Sequence, residues 1–405
     1  MVDDERRNEV EDELRRQAKK SFDTGMTAFR RGDYLEALSA LDDALELCQD
    51  ISDSECGQAD CLHSSGIVLG EMGDLREALG CYEQALVLYR EVPGNECGQA
   101  DCLYNSGVAL GGLGDSRGAS ECYERALILF QGVPDSECAQ AECIFNRGAM
   151  LNELGDWWGA LGCFEQSLTL FQGVPGSERE QADCLYGSGV SLSELGDCWG
   201  ALGYFDRALV LLDKGVVEAD WAEAERTGAR CLQGIGDCLV ELNEAVFPDH
   251  FARALEVFQR PEHVDHTKAD QASCLRSIGN GRSATGDLNG AVEAYQQAQD
   301  LYRQVGQPER AMEINVPLAR ALKRNTAAID SIFERLALLE ESLNLTIEAA
   351  LSLDRARFRL ERLDDRQRWF QAHARSTMDL ALEVAAELGR PHLISDLIAT
   401  WRTIG

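Results

Sequence analysis

The sequence predicts an all-α chain built as an array of stacked helix pairs. Two observations carry that prediction. One string of residues is written four times: ECGQADCLHSSG from Glu55, ECGQADCLYNSG from Glu96, ECAQAECIFNRG from Glu137 and EREQADCLYGSG from Glu178. The equivalent cysteines, Cys61, Cys102, Cys143 and Cys184, stand 41 residues apart at each step, and a fixed period of roughly 20 to 50 residues marks a repeat architecture. Within each copy, small and large residues also recur at the spacing of one helical face.

Each copy reads as two helices. Seven residues beyond Gly66, Gly107, Gly148 and Gly189 comes a Gly-Asp pair: Gly73-Asp74, Gly114-Asp115, Gly155-Asp156 and Gly196-Asp197. Gly ends a helix in the left-handed conformation, and Asp caps the free N–H groups of the next one. A small residue follows (Ala78, Ala119, Ala160, Ala201), then a ring (Tyr82, Tyr123, Phe164, Phe205), then Ala85, Ala126, Ser167 or Ala208. Small residues facing rings let neighbouring helices interdigitate. A loop with Pro93, Pro134 or Pro175 closes the unit.

In chain order, residues 1–20 are charged throughout, predict a solvated lead-in helix, and show no signal peptide. Residues 21–212 form the regular array, opened by a weaker copy with Gly25, Gly32-Asp33, Ala37, Leu41 and Ala44. Residues 213–267 read as a degenerate repeat with an insertion: Cys231 and Gly236 mark a first helix, Phe247-Pro248-Asp249 interrupts, and FARALEVFQR is a displaced second helix. The pattern returns over 268–308 with Gly279, Gly286-Asp287, Ala291, Tyr295 and Ala298, as expected if one solenoid runs through the irregular part. Residues 309–405 form a helical extension, expected to cap the last repeat: Ala311–Leu322, Ala328–Leu353, Arg355–Leu388, then a short helix after Gly389-Arg390-Pro391.

Charge divides the chain. Its 405 residues carry a net −32, of which residues 309–405 contribute only −1, so the acidity belongs to the array. That charge repels phosphates, no basic stripe with aromatics stands out, and nucleic acid is not an expected partner. No apolar run reaches the length of a membrane span. Fifteen cysteines with no C-x-x-C pair read as small buried hydrophobes repeated with the repeat, in a reducing cytoplasm. No phosphate loop, G-x-S-x-G or H-E-x-x-H motif occurs. His263, Asp265 and His266 cluster in the irregular loop, where polar surface is the simpler reading than a metal site. The expectation is a non-enzyme without cofactor or metal.

The offsets of Gly, ring, small residues and Pro resemble the tetratricopeptide repeat. The early Trp of that pattern is missing, and the 41-residue unit exceeds the common 34, as in the long-repeat variety of kinesin light chains. The resemblance implies a right-handed superhelical solenoid of antiparallel helix pairs with a C-terminal helical cap. It also implies that the first helices line the inner face, with their second, fifth and sixth positions looking into the groove. The second position holds Asp60, Asp101, Glu142 and Asp183; the fifth holds His63, Tyr104, Phe145 and Tyr186; the sixth holds Ser64, Asn105, Asn146 and Gly187. An acidic rail beside a row of rings suits an extended peptide carrying Lys or Arg, through charge-assisted hydrogen bonds and cation–π contact. Asn105 and Asn146 would pair with a peptide backbone, as the likeness to kinesin light chains implies. The alternative is structural: acids favouring helix N-termini, and rings packing between repeats. A clamp for a chain-terminal carboxylate is not expected, because the second position is acidic where such a clamp needs a base.

The stretch RFRLERLDDRQRWFQAHARSTMDLALEVAAELGRPHLISDLIATWR resembles the final helices of bacterial proteins in which such repeats precede a CHAT domain, a caspase-like protease module. That implies a regulatory or sensor array acting on a protease supplied elsewhere. The alternative is a stand-alone regulator that binds a signal peptide and controls a transcription factor or other partner. Self-association through an uncapped end of the array is a further expectation.

Overall fold

The structure is a computed structural model that describes residues 2–215, 221–244, 246–260, 264–357 and 375–404. Regular structure among the described residues is helical, in two compact units, Met1–Val216 and Val217–Gly405. None of these helices is long and apolar enough to cross a membrane.

The first unit is five helix pairs. They are α1 (Val2–Arg30) with α2 (Tyr34–Gln49), α3 (Glu55–Met72) with α4 (Leu75–Glu91), α5 (Glu96–Gly112) with α6 (Ser116–Phe130), α7 (Glu137–Glu153) with α8 (Trp157–Phe171), and α9 (Glu178–Glu194) with α10 (Cys198–Gly215). Each helix packs mainly on its neighbours in sequence, the arrangement of a solenoid. The chain reverses within pairs where the sequence places Gly-Asp. Gly73, Gly114, Gly155 and Gly196 have φ between 77° and 87°, a region open to glycine at no steric cost. The following Asp N–H reaches back to a leucine carbonyl five residues earlier, at 2.9 Å in all four turns, closing the helix end.

The aspartate cap depends on one further glycine. Asp115, Asp156 and Asp197 accept hydrogen bonds from the N–H of Gly118, Gly159 and Gly200 at 2.9–3.0 Å. A Cβ on these glycines would lie 2.4–2.5 Å from the carboxylate. Where that position holds Glu77, Asp74 makes no side-chain cap.

The core of each pair is a large side chain laid on a glycine, Leu41 on Gly25 in the first pair and a ring in the other four. A Cβ on Gly66, Gly107 or Gly189 would meet the ring of Tyr82, Tyr123 or Phe205 at 2.5–2.7 Å. The rings are almost fully buried, each stabilising its pair by about 1.5–3 kcal/mol on apolar burial. Cys61, Cys102, Cys143 and Cys184 are core residues, 0–2% exposed. All fifteen cysteines are free thiols.

The second unit begins with α11 (Trp221–Glu241) and α12 (Phe247–Phe258), then α13 (Val264–Thr285) and α14 (Leu288–Gln304). Phe247-Pro248 starts α12 rather than interrupting a helix, because proline lacks only an N–H that the first turn leaves unpaired anyway. Gly236 lies against Phe251, and Gly279 against Tyr295, so both pairs keep the glycine–ring contact. The expected single helix over 311–322 is two: α15 (Pro308–Glu313) and α16 (Asn315–Asn325). Asn315 is buried at the break, where it accepts from Gln299 at 2.6 Å. A short 3-10 turn (Thr326–Ala328) leads to α17 (Ile332–Arg357), followed by α18 (Arg375–Glu387) and α19 (Pro391–Ile404). Ala319, Leu339, Leu343, Leu380, Ala381, Val384 and Ala385 join α16, α17 and α18 in one cluster. His263, His373, the side chain of His266 and residues 358–374 of the stretch that resembles CHAT-linked helices lie outside the described residues. Elsewhere among the described residues, no group of three or more His, Cys, Asp or Glu side chains is placed to hold a metal ion.

Candidate binding face

The second, fifth and sixth positions of α3, α5, α7 and α9 fall at matching places on successive first helices. Their neighbours differ from one repeat to the next. Asp60 is exposed and accepts a 2.5 Å hydrogen bond from the Tyr89 hydroxyl, which burial and that carboxylate hold protonated well above its ordinary range. Asp183 is bonded to Arg179 at 3.0 Å, and Arg179 also meets Glu180 at 2.6 Å. Between them, Asp101 and Glu142 are half-buried, and each is approached by one thiol, Cys97 and Cys138, at 3.7 Å. Desolvation pushes both carboxyl pKa values up. Asp101, Glu142 and Asp183 are partly dehydrated, and Asp60 is the exposed member of the row.

Rings and amides form rungs between repeats. The Asn105 amide donates to His63 Nε2 at 2.8 Å, and the Asn146 amide donates to the Tyr104 hydroxyl at 3.0 Å. Burial lowers the His63 pKa and raises that of Tyr104 to about 12, so both partners stay neutral at physiological pH. The third rung has neither polar group: Phe145 faces a repeat with Gly187, where a Cβ would sit 2.7 Å from the Phe164 ring. Ring chemistry and sixth-position residue therefore change together. Each fifth-position ring also stacks on the second-helix ring of its own pair, with centroids 5.5–5.9 Å apart for His63–Tyr82, Tyr104–Tyr123, Phe145–Phe164 and Tyr186–Phe205. The rings and amides thus pack between and within repeats. Each still offers an edge, and each amide keeps its carbonyl oxygen for a second partner.

A concavity on this face lies between α5, α7 and α9. It encloses about 250 Å³ and is lined by Tyr104, Glu142, Phe145, Asn146, Asp183 and Arg179, with Phe171 and Glu180. Five of these are residues that the sequence places in the groove. Arg179 was not foreseen. It replaces the cysteine found at Cys56, Cys97 and Cys138, and the departure of EREQADC from ECGQADC was the available signal. The Glu142 pKa stays raised, by burial first and by Glu180 as well, with the Cys138 thiol and then the Arg179 guanidinium offsetting part of the rise. Acceptors, one cation, three rings and an amide thus converge on one hollow.

Residues 23–91, 58–131 and 139–214 match the tetratricopeptide repeat family, and this part of the chain carries tetratricopeptide repeats. The fold is similar to that of apo RapI (17% identity, TM-score 0.58, covering 72% of this chain and 99% of that one). It is similar to the apo quorum sensor NprR from B. thuringiensis (14% identity, TM-score 0.58, 85% and 94% covered). It is also similar to a tetratricopeptide repeat protein from Parabacteroides merdae (15% identity, TM-score 0.50, 74% and 98% covered). No curated protein sequence matches the chain.

Proposed function

We propose that the face formed by α3, α5, α7 and α9 holds an extended segment of a peptide or protein partner that carries Lys or Arg. The hollow bounded by Glu142, Asp183, Tyr104 and Asn146 is the observation that supports this most. A cationic side chain entering it meets carboxylates already half out of water, which strengthens charge-assisted bonds. Rings on either side supply apolar area and a face for the cation. Asp60, His63, Asp101, Asn105, Phe145, Asn146 and Tyr186 extend the contact along the row, and the acidic array draws a basic segment in. Selection from phage-displayed decapeptides tests this. Enrichment of Lys or Arg by the intact chain, lost with Asp101→Lys/Glu142→Lys, is expected. A selection without basic enrichment, or one unchanged in that variant, overturns it.

The finer reading is a sensor in which binding of the partner changes the curvature of the helix-pair array. What supports it is the nature of the rungs: His63–Asn105 and Tyr104–Asn146 are single hydrogen bonds between successive pairs, and a peptide that recruits either amide competes directly with them. The effector would be a caspase-like protease module, as the sequence resemblance implies, or a transcription factor in the stand-alone alternative. Small-angle scattering distinguishes a sensor from a rigid scaffold. A changed radius of gyration with a selected peptide fits the sensor, and an unchanged one removes it.

A further inference from the structure

The first two pairs form a cavity larger than its counterpart three repeats on, the Glu142–Asp183 hollow. It measures about 330 Å³ and lies among α1, α2 and α3, within the roughly 300–1,000 Å³ of small-molecule sites. Its origin can be read from the repeat. Tyr89, Phe130 and Phe171, spaced 41 residues apart, end the second helices of three successive pairs, each 2–4% exposed. The equivalent residue of the first pair is Cys48. A Cβ on Gly98 would strike the Tyr89 ring at 2.9 Å, whereas on the equivalent Gly57 it would meet only the Cys48 sulfur, at 3.3 Å. The volume of a ring is left open, floored by Phe22, Cys48 and Cys61. Burial raises the pKa values of both thiols, that of Cys61 to about 12, so these thiols are uncharged.

The polarity beside the cavity also changes. Tyr89 points its hydroxyl at Asp60; the residue equivalent to Asp60 in the first pair is Lys19. Lys19 and Arg15, one turn apart on α1, both line the cavity. Arg15 donates to the Ser52 carbonyl at 3.4 Å, and Lys19 makes no hydrogen bond or salt bridge among the described residues. Asp53 and Asp60 line it too and would repel further negative charge.

We propose that this cavity is a ligand site for an aromatic ring bearing a single negative charge. The ring takes the place that Tyr89, Phe130 and Phe171 fill in later pairs, and the anion meets Lys19 and Arg15. The ligand is either a free aromatic acid or the C-terminal aromatic residue of a peptide. The site is separate from the Glu142–Asp183 hollow and does not rest on the peptide-binding reading. The test is fluorine NMR titration of the full chain with 4-fluorophenylacetate and 4-fluorophenylacetamide. The acid binds, and the amide, lacking the charge, binds at least about tenfold more weakly. Cys48→Phe, which restores the ring of the other pairs, loses the acid while keeping its urea midpoint at or above that of the parent. Lys19→Glu, an exposed change, loses it with an unchanged circular dichroism spectrum. Displacement by a tetrapeptide ending in phenylalanine assigns a chain end as the ligand; displacement by phenylacetate alone assigns a free acid. The proposal is overturned if the parent chain does not bind the acid, if Cys48→Phe binds it equally, or if the amide binds as well as the acid. None of these results depends on Asp101 or Glu142, so failure here leaves the peptide reading standing.

Discussion

Two glycine-to-alanine substitutions in one helix pair should change stability with opposite signs. Gly66 and Gly80 lie within α3 and α4. Alanine in a helix is favoured over glycine by about 0.8–1.0 kcal/mol, and that gain is common to both sites. At Gly80 nothing lies within 4 Å of the new Cβ, so Gly80→Ala should stabilise by about that amount. At Gly66 the Cβ would meet Tyr82 at 2.5 Å and 2.8 Å, and that ring is 4% exposed between Ala78 and Ala85. It has to move by most of an ångström inside a packed cluster, which costs about 1–3 kcal/mol. The propensity gain cancels in the comparison, so the difference between the two variants isolates the clash at about 1–3 kcal/mol. Urea denaturation of the full chain, followed by far-ultraviolet circular dichroism, measures it. A Gly66→Ala chain as stable as Gly80→Ala would refute the ring-on-glycine account of the repeat core.

Other consequences follow from the same geometry. Asn146→Ala removes the partner of the Tyr104 hydroxyl and should cost about 1 kcal/mol in urea melts, whereas Tyr104→Phe/Asn146→Gly, which copies the neighbouring rung, should cost less than the sum of its parts. Desolvation raises the Asp101 and Glu142 pKa values above their ordinary 3.8 and 4.5. The folded state therefore holds protons that the unfolded state has released, and stability falls as pH rises through that window. Asp101→Asn/Glu142→Gln should be more stable than the parent at pH 7, with the gap closing below pH 4 in paired urea melts. His63 has the opposite sign: its pKa is lowered by burial, so its contribution is present above 6.5 and is lost as pH falls through the lowered value. His63→Gln should flatten the stability profile between pH 7 and pH 5.

The helix pairs were legible because their determinants are local. A Gly-Asp turn, a ring nine residues after its glycine and small residues seven apart each encode one contact, and four copies repeat the statement. The terms that join distant positions were harder to see. Tyr89 reaches Asp60 across 29 residues, and nothing in the local pattern marks that tyrosine as the aspartate's partner. The rungs were visible as rows of residues but not as bonds, because pairing His63 with Asn105 requires knowing how successive first helices stack. Departures from the repeat carried the most information about sites. Arg179 in place of cysteine puts a cation into the acidic row, and Cys48 stands in place of a ring where the cavity is larger. The break between α15 and α16 was not readable, since Asn315 is satisfied there by Gln299 from the preceding helix, a tertiary contact that no propensity reports.

The most direct test of the central claim is calorimetric titration of one phage-selected, lysine- or arginine-containing peptide into the full chain and into Asp101→Asn/Glu142→Gln. Each charge-assisted bond lost should cost about 1.5–3 kcal/mol, so affinity should fall by roughly tenfold or more while the fold is kept. Unchanged affinity in the neutralised variant would mean that these carboxylates do not receive the peptide.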